Sequence, residues 1–112
     1  MLIVEDDPLL LMDLESTLTS VGATAVGFCQ TLDEALTWSE ASDFAVAVLD
    51  FRLGNDTVSP VVQRLARRGV PFILYTGQAR DEPNLAEWRE VTVEKPSPPR
   101  VVLSAARAAL RR

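Results

Sequence analysis

Phe44-Ala45-Val46-Ala47-Val48-Leu49-Asp50 is the stretch that decides the fold. No polar residue interrupts Phe44–Leu49, so a strand built from it turns apolar side chains to both of its faces. Such a strand belongs inside a parallel sheet with helices on either side. The run then stops at a carboxylate, Asp50.

Segments of two kinds alternate on either side of this run. Leu2–Val4 is a short apolar run followed at once by Glu5-Asp6. Asp7-Pro8 reads as a helix cap followed by proline at the first helical position. Leu11, Leu14, Leu18 and Val21 then recur at helical spacing, and Gly22 stops that helix. Ala23–Phe28 is the second strand candidate. Thr31 with Glu34 makes a capping box for a helix running to about Ala41. Downstream of the central run, Ser59-Pro60 opens a third helix and Gly69 closes it. Phe72–Tyr75 and Val91–Val93 supply the fourth and fifth strands. Ser97 and the prolines after it lead into a last helix with Val102, Leu103, Ala106 and Leu110 on its inner face. The fourth helix falls in Gln78–Glu90, where Pro83 and the scarcity of apolar anchors predict a short or irregular one. These five strand–helix units predict an α/β fold: a doubly wound, five-stranded parallel sheet in the flavodoxin-like order 2-1-3-4-5, with right-handed crossovers.

Length and composition narrow the function. The 112 residues fit one domain spanning 1–112, with 47% apolar residues to fill its core. A net charge of -5 with scattered acids argues against nucleic acid and admits a divalent cation or a basic partner surface. Cys29 is the single cysteine, which excludes an internal disulfide and reads as a small core residue. The chain has no histidine, so histidine-based nucleophile systems and histidine-ligated zinc are excluded. Met1–Val4 is too short for a signal peptide or a membrane span, and the expected location is the cytoplasm.

The polar residues at the strand ends carry the functional argument. Glu5 and Asp6 follow strand one, Asp50 strand three, Thr76 strand four and Lys95 strand five. In the order 2-1-3-4-5, strands one and three flank the switch point, where open α/β sheets bind ligands. Three carboxylates, a hydroxyl and an amine are therefore expected in one crevice. Clustered carboxylates resist ionising together, and a hard cation with few protein ligands, Mg2+, relieves that repulsion. Lys95 is the only lysine among 11 cationic residues. It adds a compact charge on a flexible stem. The set suits a phosphoryl group, with Asp50 as nucleophile forming an acyl phosphate.

Glu5-Asp6, Asp50, Thr76-Gly77 and Lys95-Pro96 resemble the CheY-like receiver domains of bacterial two-component response regulators. The resemblance covers essentially the whole chain and rests on four motifs in the right order. It implies that Asp50 is the phosphoacceptor. It implies that Asp6 and Asp50 ligate Mg2+ together with the backbone carbonyl of Arg52, with Glu5 acting through water. Thr76 would move toward the phosphoryl group, Lys95 would pair with its oxygens, and Lys95-Pro96 would be a cis peptide bond. Gly77 would leave the site open to the donor. Implied partners are a sensor histidine kinase or a histidine phosphotransfer protein, and a downstream protein target, with the domain a monomer or weak homodimer. Val70-Pro71-Phe72 with Thr76-Gly77 also resembles the FATGUY sub-branch of stand-alone receivers, which act with HWE-type kinases. Leu74-Tyr75 and Gln78-Ala79 depart from that sub-branch's pattern. Thr92 stands where many receivers carry an aromatic switch residue.

Some residues have ordinary readings. Asp7 is a helix cap, Asp13, Asp43 and Asp56 are surface acids, and Trp38 and Trp88 are packing residues. For Gln78 two readings stand side by side: a residue that tunes dephosphorylation and a solvated loop residue. Three functions compete. The first is a stand-alone switch that accepts and slowly hydrolyses its own aspartyl phosphate and turns over no external substrate. The second is a magnesium-dependent aspartyl phosphatase, disfavoured because Arg52 stands where that chemistry needs a second acid. The third is a receiver-fold interaction module that acts without phosphorylation; the intact site residues argue against it, and Thr92 and the irregular fourth helix argue for it.

Overall fold

The computed structural model describes residues 1–20, 27–41, 44–77, 88 and 91–110. Five strands form one parallel sheet: β1 (Leu2–Val4), β2 (Gly27–Cys29), β3 (Ala47–Leu49), β6 (Phe72–Thr76) and β7 (Thr92–Glu94). Their spatial order is β2-β1-β3-β6-β7, which is 2-1-3-4-5 when the sheet strands are counted alone. A small antiparallel hairpin, β4 (Arg52–Leu53) with β5 (Asp56–Thr57), accounts for the two extra labels. The helices are α1 (Pro8–Ser20), α2 (Leu32–Ala41), α3 (Ser59–Arg68) and α4 (Pro99–Ala109).

Alternation along each central strand sends successive side chains to opposite faces. Leu2, Val4, Ala47, Leu49, Phe72 and Leu74 pack on one side with Val61, Val62 and Leu65 of α3. Ile3, Val46, Val48, Ile73 and Tyr75 pack on the other with Leu14 and Leu18 of α1 and Val102 and Ala106 of α4. Every residue of β3 is buried, but the strand takes only Ala47–Leu49 of the apolar run Phe44–Leu49: ahead of it Phe44 is half-buried and Ala45 exposed.

Local signals explain the helix ends. Asp7 Oδ1 accepts the Leu9 N–H at 2.9 Å, so Asp7 caps α1. Thr31 Oγ1 accepts the Glu34 N–H at 3.2 Å and Glu34 Oε1 accepts the Gln30 N–H at 3.3 Å, which closes the capping box of α2 one residue earlier than the simplest pattern. Gly69 ends α3 at φ 70°, a left-handed conformation that suits glycine. Arg64 and Arg68 of α3 donate to the Leu36 and Ser39 carbonyls near the end of α2 and lock the two helices together. Trp38 lies over Gly27, where an added Cβ would come within 2.7 Å of the indole. Trp88 meets Phe72 edge-on with centroids 5.3 Å apart, so both tryptophans pack against the core.

Several boundaries differ from the sequence reading. The second strand is Gly27–Cys29 among the described residues, and the fifth is Thr92–Glu94. Leu110 is 44% exposed, and Ala109, 4% exposed, takes the inner position instead. Both lie about one turn beyond Ala106, at i+3 and i+4, and the i+3 position, Ala109, is the one that faces inward. Cys29 is fully buried, and burial pushes its thiol up to about 11, as a core residue requires. Asp13 and Asp56 are exposed. Val21, Gly22, Asp43, Gln78 and the fourth helix expected in Gln78–Glu90 lie outside the described residues, Trp88 apart. Among the described residues no helix is long and apolar enough to cross a membrane.

Candidate functional site

The strand ends deliver their polar residues to one place. β1 and β3 are neighbours with Val4 opposite Leu49, so Glu5 and Asp50 leave the sheet side by side. Backbone bonds fix both: the Glu5 N–H donates to the Cys29 carbonyl at 2.9 Å and the Asp50 N–H to the Val4 carbonyl at 2.8 Å. β6 and β7 pair with Thr76 opposite Glu94, and the Lys95 N–H donates to the Thr76 carbonyl at 2.9 Å. Lys95 thus starts from the adjacent strand end and reaches back across the crevice.

Its ammonium bridges the two buried acids. Lys95 Nζ is 3.1 Å from Glu5 Oε2 and 3.1 Å from Asp50 Oδ2. Glu5 Oε1 also accepts the Asp7 N–H at 3.2 Å. Glu5 is 1% exposed and Asp50 6%, whereas Asp6 is open to solvent. One carboxylate oxygen from each of Glu5, Asp6 and Asp50 lies within 4.8 Å of the others. Thr76 is buried at the end of β6.

Electrostatics follow from this geometry. Burial and the neighbouring Asp50 charge push Glu5 up to about 7, against the lowering influence of Lys95. Asp50 is raised as well, chiefly by burial. Burial pulls the Lys95 ammonium down, yet Asp50 and Glu5 together outweigh it and raise the group, which stays charged. Two crowded acids share one cation, and both are held above the usual carboxylate range.

The structure brings together Glu5, Asp6, Asp50 and Lys95, and Thr76 is joined to Lys95 through its backbone carbonyl; all five were chosen from the sequence. Arg52 opens β4 two residues after Asp50, with its side chain exposed. Lys95-Pro96 is a cis peptide. Gly77 lies beside the Lys95 stem: an added Cβ would sit 3.6 Å from the Lys95 Cβ, in ordinary contact. Thr92 Oγ1 donates to the Trp88 carbonyl at 2.9 Å, so this position holds backbone.

Two features of the site escaped the sequence. Asp6 Oδ2 accepts the Gly54 N–H at 2.9 Å, which ties the β4–β5 hairpin to the acid cluster. Gly54 has φ 63°, and its neighbour Asn55 is a common turn former, so a turn signal was present. Its partner 48 residues away in the chain was not. Tyr75 is the other. Its ring centroid is 5.2 Å from Lys95 Nζ, and its hydroxyl bonds the loop after the lysine.

The donor set fits magnesium. Three carboxylates with oxygens this close, and no softer ligand beside them, form the hard, all-oxygen environment that ion takes.

Comparisons with known proteins bear on the family and the fold. The family model described as response regulator receiver domain matches residues 1–107. SdrG from Sphingomonas melonis Fr1 is similar over 99% of this chain and 94% of its own, at 35% identity and a TM-score of 0.82. The receiver domain of the PhyR response regulator from Erythrobacter litoralis is similar over 98% of this chain and 88% of its own, at 25% identity and a TM-score of 0.79. The non-phosphorylated HemR receiver domain from Leptospira biflexa shares the fold over 99% of this chain and 93% of its own, at 22% identity and a TM-score of 0.82. No curated protein sequence matches the chain.

Proposed function

This chain belongs to the response regulator receiver domain family, and from that membership we propose that it is a phosphoacceptor switch whose Asp50 carries the phosphoryl group. The observation that supports this reading is the bridge from Lys95 to Glu5 and Asp50 at 3.1 Å each. It places an acceptor carboxylate, a movable cation and a second acid in one crevice. Receiver domains act in two-component signalling and are in general not turnover enzymes.

Glu5, Asp6 and Asp50, with the backbone carbonyl of Arg52, would hold magnesium. When bound, the ion neutralises charge that develops on the transferring phosphoryl group. Asp50 attacks phosphorus through one carboxylate oxygen. The bond from phosphorus to the donor atom breaks, and its electron pair leaves with the donor. Lys95 releases Glu5 and turns its ammonium to the phosphoryl oxygens, a short movement on a flexible stem. The Thr76 hydroxyl donates to another of those oxygens. Each contact forms only when the group is in place, so phosphorylation biases the loops that hold Thr76 and Lys95 toward a second arrangement. The donor is a sensor histidine kinase or a histidine phosphotransfer protein, and the output is contact with a protein target.

A second reading keeps the fold and drops the chemistry: an interaction module that works unphosphorylated. Thr92 favours it, because a hydroxyl bonded to backbone cannot swing as an aromatic ring would.

Intact mass after incubation with acetyl phosphate separates the two. The switch predicts a magnesium-dependent gain of one phosphoryl group, lost in Asp50→Ala. A folded protein that binds magnesium and gains nothing from acetyl phosphate or a phosphorylated histidine donor contradicts it.

A further inference from the structure

The Lys95 ammonium rests on more than carboxylates. The Tyr75 ring lies beside it, with 5.2 Å from Nζ to the centroid, inside the range at which a ring face attracts a cation. Tyr75 is 3% exposed and packs in the apolar layer between the sheet and α4. A phenylalanine would fill that space without a hydroxyl to satisfy. The hydroxyl here has partners. Tyr75 Oη donates to the Ser97 carbonyl at 2.8 Å and accepts the Ser97 N–H at 3.4 Å. Ser97 Oγ in turn donates to the Glu94 carbonyl at 2.6 Å. On the near side of the turn, the Lys95 N–H donates to the Thr76 carbonyl at 2.9 Å. Consecutive residues of β6, Tyr75 and Thr76, therefore hold the segment on both sides of Lys95.

Taking the phosphoacceptor reading as given, we propose that Tyr75 is a positioning residue for Lys95: its ring backs the ammonium and its hydroxyl anchors the Ser97 backbone. Without it, among the described residues, the ammonium of this flexible stem would be held by the Glu5 and Asp50 carboxylates. Those carboxylates are the groups that metal and phosphoryl would claim. The Tyr75 hydroxyl is spent on the Ser97 backbone instead, so its grip on the Lys95 segment persists through the transfer.

Lys95 is the only lysine in the chain, so lysine-selective 13C labelling reports its side chain alone. In Tyr75→Leu the Lys95 ε-methylene resonance should leave its ring-shifted position, whereas Tyr75→Phe keeps it. With acetyl phosphate at saturating magnesium, Tyr75→Phe should lower the maximal phosphorylation rate about fivefold, the worth of one hydrogen bond, with the magnesium midpoint unmoved. A general loosening of the site would move both. An unmoved Lys95 resonance in folded Tyr75→Leu, or wild-type rates in Tyr75→Phe, overturns the proposal. Tyr75→Phe decides the tether even if Tyr75→Leu does not fold. Should the wild type take no phosphoryl group, the switch reading fails, and the Lys95 resonance still decides the positioning role.

Discussion

Replacing Lys95 with methionine keeps an unbranched apolar stem and deletes the charge between Glu5 and Asp50. The side chains of those acids are 2% and 8% exposed, and that of Lys95 is 20% exposed. Breaking a buried pair leaves an uncompensated charge at roughly 3–5 kcal/mol, and the partial exposure of Lys95 points to the lower end, about 3 kcal/mol above neutral pH. For a domain of this size that corresponds to a fall in Tm of about 12 °C. The loss depends on pH. The folded pKa of Glu5 is raised from 4.5 to about 7, so the folded state binds the extra proton. Stability is highest below the unfolded pKa and falls as pH rises through the folded one. Losing Lys95 lifts both acids further, which widens that window upward. Chemical denaturation, followed by circular dichroism with magnesium chelated, should therefore show Lys95→Met losing about 3 kcal/mol near pH 8 and about 1 kcal/mol near pH 5.5. Magnesium, a substitute positive charge, should restore more stability to the variant than to the wild type. Equal losses at both pH values, or a variant as stable as the wild type near pH 8, would refute the assignment of Lys95 as the charge that keeps these acids ionised together.

Two further outcomes follow from the same geometry. Magnesium affinity should weaken on acidification through about 7, because Glu5 must shed its proton to face the ion as a carboxylate; titration calorimetry in two buffers of different ionisation enthalpy should register the released proton. Gly27→Ala forces a methyl to within 2.7 Å of the Trp38 indole and should cost about 1–3 kcal/mol by overpacking, read in thermal melts, with the Trp38→Leu background relieving most of the loss.

The fold was legible because the chain states its periods plainly. Phe44–Leu49 has no polar break and β3 is buried throughout, while Asp7, the Thr31–Glu34 pair and Gly69 mark helix ends that the structure keeps. The crevice was legible for a related reason. Its residues sit at strand ends, where a parallel sheet gathers them without further information. What escaped depends on contacts between distant residues. The β4–β5 hairpin has strands of two residues each, too short to show alternation, and its tie to Asp6 spans 48 positions. Tyr75 closes an apolar run and reads as core, which its ring is. Its hydroxyl's role depends on Ser97, 22 residues on. Leu110 was misplaced because helical spacing alone does not separate i+3 from i+4 at a helix end, and Ala109 was the residue that fitted.

The central claim is that Asp50 accepts phosphate, and an aspartyl phosphate can be read at its own residue. The protein is incubated with acetyl phosphate and magnesium, then reduced with borohydride, which converts an acyl phosphate to homoserine, and its peptides are sequenced by mass. Homoserine is expected at position 50 and is absent when magnesium is chelated. Unmodified Asp50 in a protein that has taken up phosphate, or homoserine at Asp6 or 5-hydroxynorvaline at Glu5 in its place, would contradict it.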